Sequence, residues 1–400
     1  MKDRPRGGAA KTEIADVSSD MRWMRRALAL AQRGRGSTRP NPVVGAVVVR
    51  RGRLYGEGFH QRAGGPHAEI EALARLARSP GGAAGATVYV TLEPCCHTGR
   101  TAPCTEALVA ARVARVVVGV RDPNPLVDGR GIARLRRAGI RVDVGCLEDE
   151  CRALNLPFFT WIRQRRPLVT LKAAATLDGF IADGRPRRNA APVWITGPQA
   201  RAVAHQMRAE HDAVLVGAGT VRDDNPRLTV RLAPRRGRST AGRRRPPPAQ
   251  PLRVILDGRL RSPTGARVLA PAGGAPTLVI GARGAAPARA TALRAAGAEV
   301  LLLPAGPNSR IDLRLVLRAL AKRDVQSLLV EGGAEVHAAF IAAGLVDRVA
   351  FFQAPRLAGG GVAIAAGAGR AAAKALRLGP VSVERVGQDL LLRADVQGGG

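Results

Sequence analysis

The chain has 400 residues, 46% hydrophobic and 24% charged, a globular make-up with room for two or three domains that excludes a fibrous or disordered protein. Its 63 Lys and Arg outweigh 31 Asp and Glu to give +32, but only five of the basic residues are Lys and aromatics are 3%. Arg on solvated surfaces, with few rings to stack bases on, argues against a nucleic-acid substrate, and no stretch of about 18 apolar residues free of charge offers a membrane span.

Residues 1–19 lack the apolar segment of a secretory signal and read as a disordered leader. Met21 to Arg33 has apolar positions at helical spacing. Asn41-Pro42 signals a turn, and Val43 to Val49 and Leu54 to Phe59 read as strands around Arg51-Gly52. A helix is predicted over 68–77, ended by Ser79-Pro80-Gly81-Gly82. Strands Thr87–Leu92, Arg115–Val120 and Ile140–Val144 alternate with helices Thr105–Ala111 and Gly131–Ala138.

The alternation restarts after Arg165-Arg166-Pro167. Strands are predicted over 168–174, 213–216, 252–256, 277–280, 300–303, 327–330, 349–352 and 390–394, with a helix over 199–208. Strands alternating with helices predict two three-layer α/β domains, at 20–166 and 167–396. Residues 233–250, rich in Arg, Gly and Pro, read as a solvated insertion or a basic anion-binding arm.

The five cysteines are Cys95, Cys96, Cys104, Cys146 and Cys151. An odd count in an unsecreted chain argues against a disulfide framework, makes the reducing cytoplasm the default, and turns clustered thiols toward a metal. His67, Cys95 and Cys104 each stand where a helix is about to begin, two of them in Pro-Cys pairs. Two thiolates and an imidazole suit Zn²⁺ and leave a fourth position open for water. Cys96 and His97 compete as ligands in principle, and the paired Pro-Cys pattern favours Cys95 and Cys104. Glu69, two residues after His67, is suited to move protons between water and a leaving amine. Cys146 and Cys151 read as core packing.

The His-x-Glu and paired Pro-Cys pattern is the zinc nucleobase-deaminase signature, here with eight residues between the cysteines. With RPNPVVGAVVV, AGGPHAE, TLEPCCHTGRTAPC and DPNPLVDGRGIARLRRAGI it resembles the bifunctional riboflavin-biosynthesis deaminase–reductases. The resemblance continues through LKAAATLDGFIA, VWITGPQAR, MRAEHDAVLVGAGTVRDDNPRLTVR and LLVEGGAEV, over about residues 20 to 395. It implies a cytidine-deaminase-like zinc domain followed by a dihydrofolate-reductase-like domain using NADPH. The implied reactions are hydrolytic deamination of 2,5-diamino-6-(5-phosphoribosylamino)pyrimidin-4(3H)-one, then reduction of the ribosyl chain to give 5-amino-6-(5-phospho-D-ribitylamino)uracil. Asn41 has the chemistry to hold the pyrimidine edge or, equally, to cap the Asn-Pro turn.

The second half has no strand followed by G-x-G-x-x-G. Leu328 to Ala334 instead runs a buried strand into Gly332-Gly333 and a helix, which lets backbone N–H groups approach a pyrophosphate or serves as a tight turn. The resemblance implies cofactor contacts at Ala174, Trp194, Thr220, Asp224, Gly332 and Gly333, and substrate contacts at Arg208, Leu228, Arg231 and Glu331. Arg208 and Arg231 suit a fork on the ribose phosphate; as residues of an Arg-rich chain they read equally as solvated charges. Lys172 and Asp178 match the family's opening pattern without a defined role. Two departures stand out: Pro192 replaces a hydroxyl residue before Trp194, and Gly258 replaces a serine.

The partner expected is a small molecule, with no nucleic acid and no membrane; whether the chain forms a homo-oligomer is open. Two rivals remain. A nucleic-acid base deaminase would share the zinc chemistry but leave the second half unexplained. A non-catalytic zinc scaffold would give Glu69 no purpose.

Overall fold

The computed structural model describes residues 8–76, 81–97, 102–184, 193–232, 250–271, 274–367 and 369–397. Residues 1–7 of the expected leader, the end of the helix predicted over 68–77, Thr98 to Thr101, Pro192 and the basic insertion from 233 to 249 lie outside the described residues. The chain divides into two compact units, Met1–Gln164 and Arg165–Gly400.

In the first unit the helix α1 spans Gly8–Ala31, which takes in residues 8–19 of the expected leader. Strands β1 (Gly45–Arg50) and β2 (Arg53–Phe59) form the hairpin. Then come α2 (Ala68–Ala74), β3 (Thr87–Leu92), α3 (Cys104–Ala110), β4 (Arg115–Val120), α4 (Arg130–Arg137), β5 (Arg141–Val144), α5 (Glu148–Leu154) and α6 (Leu156–Gln164). The sheet order is β2-β1-β3-β4-β5; β1 is antiparallel to both neighbours and β3-β4-β5 run parallel. The period of two sorts the side chains. Ala46 and Val48 enter one core with Ala72 of α2 and Leu108 of α3, and Val47 and Val49 enter the other with Met24, Cys151 and Phe158. Both faces are therefore covered. Each fully buried Leu or Val contributes about 1.5–3 kcal/mol.

The second unit contains β6 (Leu168–Thr176), β7 (Phe180–Ala182), α7 (Pro198–Glu210), β8 (Ala213–Gly217), α8 (Ala218–Asp224), β9 (Leu252–Leu256), β10 (Thr277–Ala282), α9 (Pro287–Ala295) and β11 (Glu299–Leu303). It continues with α10 (Leu313–Ala321), β12 (Ser327–Gly332), α11 (Ala334–Ala342), β13 (Arg348–Ala354), β14 (Val362–Ala363), β15 (Ser382–Val386) and β16 (Asp389–Asp395). Nine strands form one sheet in the order β11-β10-β9-β8-β12-β6-β13-β16-β15, and β14 pairs with β7 apart from it. From β11 to β13 every neighbour is parallel; β16 and β15 are antiparallel. Val214 and Leu329 point into one core, Leu215 and Leu328 into the other. The chain crosses β6 to β8, runs outward to β11 and returns to insert β12 between them. The carboxyl ends of β6, β12 and β8 thus meet where the winding reverses, the usual place for a ligand in such sheets.

The substitution at Gly258 has a packing cause. A Cβ there would stand 2.1 Å from the Ser309 carbonyl oxygen. The serine usual at this position has no room, and the preceding Asp257 carboxylate accepts instead from the N–H and hydroxyl of Ser262, at 2.6 and 2.7 Å.

Candidate active sites

The first site lies where β3 and the α2 turn meet. His67 is the extended residue that precedes α2, and Pro103 plays the same part before α3, so His67 and Cys104 sit at helix starts while Cys95 follows β3. One ligand atom from each of His67, Cys95 and Cys104 lies within 4.8 Å of the others. His67 Nδ1 is 3.1 Å from Cys104 Sγ and 3.5 Å from Cys95 Sγ. Tetrahedral Zn²⁺ with ordinary Zn–S and Zn–N bonds would hold such atoms roughly 3.6 Å apart. The electrostatics agree. The Cys104 thiol and the His67 ring beside Cys95 pull that thiol down to about 4, while the same bond to Cys95, with burial, pushes Cys104 up. A second thiolate in so small a space needs a cation among the three ligands.

Glu69 is buried in the first turn of α2 and stands beside this group without belonging to it. Burial, and then the Cys95 charge, push its carboxyl up to about 7. That range suits a group that must both take and give a proton near neutrality.

A cavity of about 460 Å³ opens over these residues, lined among others by Asn41, His60, His67, Glu69, Cys95 and Asp122. The structure therefore brings Asn41, His67, Glu69 and Cys95 to one space, with Cys104 behind them. Cys96 does not join the ligands; its thiol lies 3.8 Å from the Leu126 carbonyl oxygen. His60, Asp122, Asn124, Phe158 and Trp161 are wall residues that the sequence reading did not single out. Asp122 and Asn124 follow β4 at the carboxyl end of a parallel strand, a position that by itself favours ligand contact. Burial raises the Asp122 carboxyl to about 7. Glu93 ties this wall to the metal-ligand turn: its carboxylate accepts from the N–H groups of Asp122, Gly129 and Ile132 at 3.3, 3.0 and 3.1 Å.

The second site lies at the reversal in the large sheet. The ladder between β12 and β8 slips between Val330 and Gly332, and the irregularity re-aims Glu331. Its carboxylate takes Nε and Nη2 of Arg208 at 2.6 Å each, and Arg208 Nη1 donates to the Thr229 carbonyl oxygen at 3.2 Å. Arg208 is therefore not an open fork: three of its five N–H groups are engaged by the protein, in a largely buried pair. Burial opposes ionisation of Glu331, but the Arg208 guanidinium outweighs it and holds the carboxyl at about 2. Breaking such a pair costs on the order of 3–5 kcal/mol.

Leu228 is buried with φ of 53°, and Thr229 and Val230 are buried as well. The stretch from Asn225 to Arg231 is not a strand, contrary to its alternating pattern. The Gln250 carboxamide is bonded to both backbone groups of Val230, at 2.8 and 3.2 Å, in the manner of a ladder partner. Arg231 is exposed, and its Nη1 donates to the Thr229 hydroxyl at 3.1 Å.

Across the same strand ends, the Gly333 N–H donates to the Thr220 hydroxyl at 2.9 Å. Gly332 has φ of +103°, and a Cβ on it would stand 3.0 Å from the His337 ring, so only glycine fits. At Gly219, by contrast, a Cβ would meet nothing within 4 Å. The open backbone at Gly219 and the first N–H groups of α11 leave room for a pyrophosphate. Ala174 and Lys172 share the half-open face of β6. Trp194 is exposed with the Arg201 guanidinium 4.9 Å from its ring centre, and Asp224 is exposed at the end of α8. Asp224 lies one helical turn after Thr220 in α8.

Comparison with known proteins places both sites in context. Residues 17–120 match the cytidine and deoxycytidylate deaminase zinc-binding region, and residues 167–392 match the RibD C-terminal domain. The riboflavin biosynthesis protein RibD of Aquifex aeolicus (strain VF5) is 43% identical over 373 residues, covering 93% of this chain and 97% of that protein. The Escherichia coli (strain K12) RibD is 42% identical over 342 residues, or 85% of this chain and 89% of its own. Among solved structures, Acinetobacter baumannii RibD superposes with a TM-score of 0.82 at 38% identity, covering 95% of this chain and 99% of that one. The Thermotoga maritima diaminohydroxyphosphoribosylaminopyrimidine deaminase/5-amino-6-(5-phosphoribosylamino)uracil reductase gives 0.79 at 38% identity, covering 95% and 99%.

Proposed function

The chain belongs to the RibD family of riboflavin-biosynthesis proteins, and from that premise we propose how its own residues divide the work. It is a bifunctional enzyme, a zinc-dependent deaminase followed by an NADPH-dependent reductase. The observation that carries the site reading is one buried carboxyl, Glu69, raised to about 7 beside a His-Cys-Cys group and lining the same open cavity.

His67, Cys95 and Cys104 would hold zinc, which would supply Lewis-acid activation of water. Glu69 takes a proton from that water and passes it to the amine nitrogen of 2,5-diamino-6-(5-phosphoribosylamino)pyrimidin-4(3H)-one. The water oxygen bonds to the ring carbon that carries the amine, the carbon–nitrogen bond breaks, ammonia leaves and the oxygen remains as the ring carbonyl. Asn41 holds the edge of the ring. The second unit would hold NADPH, which would supply the hydride for C1′ of the opened sugar; with a proton from solvent the product would be 5-amino-6-(5-phospho-D-ribitylamino)uracil. Thr220, Gly332 and Gly333, with Ala174, Trp194 and Asp224, bind the cofactor. Leu228, Arg231 and Glu331 contact the substrate, and Arg208 acts mainly by fixing Glu331.

Arg231 is the better candidate for the phosphate. Burial, and then the charges of Arg208, Arg227 and Arg267, pull its guanidinium below the usual range, a crowd of cations that an anion would relieve. Arg231→Ala is expected to cost on the order of 1.5–3 kcal/mol, roughly 10- to 150-fold in apparent substrate affinity, with NADPH affinity unchanged. Steady-state kinetics with varied ribotide and varied NADPH read the two separately; a rise confined to the NADPH KM puts Arg231 on the cofactor side.

The reaction is consistent with a cytoplasmic setting and a small-molecule partner; among the described residues no helix is long and apolar enough to cross a membrane. The whole reading is tested by incubating the protein with the diaminopyrimidine ribotide, with and without NADPH, and weighing the products. Deamination should occur without NADPH and reduction only with it. Absence of both mass changes removes the reading.

A further inference from the structure

The wall of the deaminase cavity contains a hydrogen-bond chain with a fixed direction. His60 is buried; its Nδ1 lies 2.9 Å from the Pro66 carbonyl oxygen and its Nε2 lies 3.0 Å from the Asn41 Nδ2. A carbonyl oxygen can only accept, so Nδ1 carries a hydrogen. An imidazolium buried here would need an anion in contact, and the ring's hydrogen-bond partners among the described residues are one carbonyl and one carboxamide. The ring is therefore neutral and Nε2 is an acceptor. Asn41 must turn its amino group toward His60, and its oxygen is left for the cavity it lines.

We propose that His60 is a positioning residue that locks the Asn41 carboxamide with its oxygen facing the cavity, so that this wall selects a ring bearing an N–H donor. The inference rests on the deaminase reading and adds the sense of recognition at Asn41. An acceptor at this point favours a pyrimidinone edge with a protonated ring nitrogen. A ring nitrogen with a lone pair there would face another lone pair, leaving two buried acceptors without a hydrogen between them. His60 acts through Asn41 and through the Pro66 carbonyl, which sits one residue before the ligand His67.

The direction of the chain has a spectroscopic signature. A free neutral imidazole carries its hydrogen mainly on Nε2, whereas His60 must carry it on Nδ1. Long-range nitrogen–proton correlation on the zinc-loaded full-length chain, assigned by its loss in His60→Phe, is expected to show a protonated Nδ1 and a bare Nε2. A hydrogen on Nε2 overturns the proposal. Deaminase kinetics of His60→Phe, Asn41→Ala and the double variant give the second readout. Each single change is expected to raise the ribotide KM about ten-fold with kcat nearly unchanged, and the double variant should be no worse than either single one. Zinc content and the turnover of supplied deaminated ribotide by the second unit check that each variant is folded. KM effects that multiply to about a hundred-fold in the double variant overturn the coupling. If the unaltered chain does not deaminate the ribotide, the functional reading falls, and the tautomer is still decided by the nitrogen spectrum.

Discussion

Glu69→Gln is expected to keep its zinc and to lose deamination by about 10²-fold or more. The carboxyl lies outside the three-residue ligand group, so replacing it by a carboxamide of the same shape leaves the metal site intact. What disappears is a buried group poised at about 7 to accept and release protons. A carboxamide does neither. Reduction of supplied deaminated ribotide with NADPH should continue at the unaltered rate. Ammonia release is the measurement, and release at a near-normal rate would take Glu69 out of the reaction.

Cys104→Ser and Cys95→Ser should lose most of the zinc, from about one ion per chain, and the deaminase activity with it. The cause is the pairing of the two sulfurs. Cys95 is ionised because the Cys104 thiol and His67 support its charge, and Cys104 ionises only when a cation shares the space. A serine hydroxyl at either place is a poor ligand, since it does not ionise at neutral pH. Cys96→Ser should retain the metal, because the Cys96 sulfur is directed to the Leu126 carbonyl. Metal analysis of the three purified variants decides it; full zinc in the Cys104 variant, or none in the Cys96 variant, overturns the ligand set.

Much of this was legible before any coordinates. Continuous apolar runs in β1, β3 and β4 mark strands buried on both faces, and His67, Glu69, Cys95 and Cys104 carry their chemistry in their spacing. Other parts were hidden for physical reasons. β15 has four of its five residues exposed, so no apolar pattern marks it. The inner face of α9 rests on Ala290 and Leu293, a weak signal in an Ala-rich chain. By contrast α10, with Leu313, Val316, Leu317 and Leu320 buried, carries ordinary helical spacing. Asn225 to Arg231 alternates like a strand but pairs with no strand among the described residues, which no local pattern reveals. The Arg208–Glu331 pair joins residues 123 positions apart, and in an Arg-rich chain Arg208 also read as a solvated charge.

Strand order also sets the order in which the two units become complete during synthesis. All five strands of the first sheet lie between Gly45 and Val144. In the second, β6 is flanked by β12 and β13, with Leu171 paired to Val330 and to Val349. About 180 residues must leave the ribosome after β6 before its last neighbour exists, roughly 10 to 35 seconds at ordinary elongation rates. Until β12 emerges, Val169, Leu171, Ala173 and Ala175 belong to a strand with neither of its neighbours. This nine-residue segment, largely buried in the finished enzyme, is an aggregation hazard for the nascent chain and a natural point of call for a chaperone.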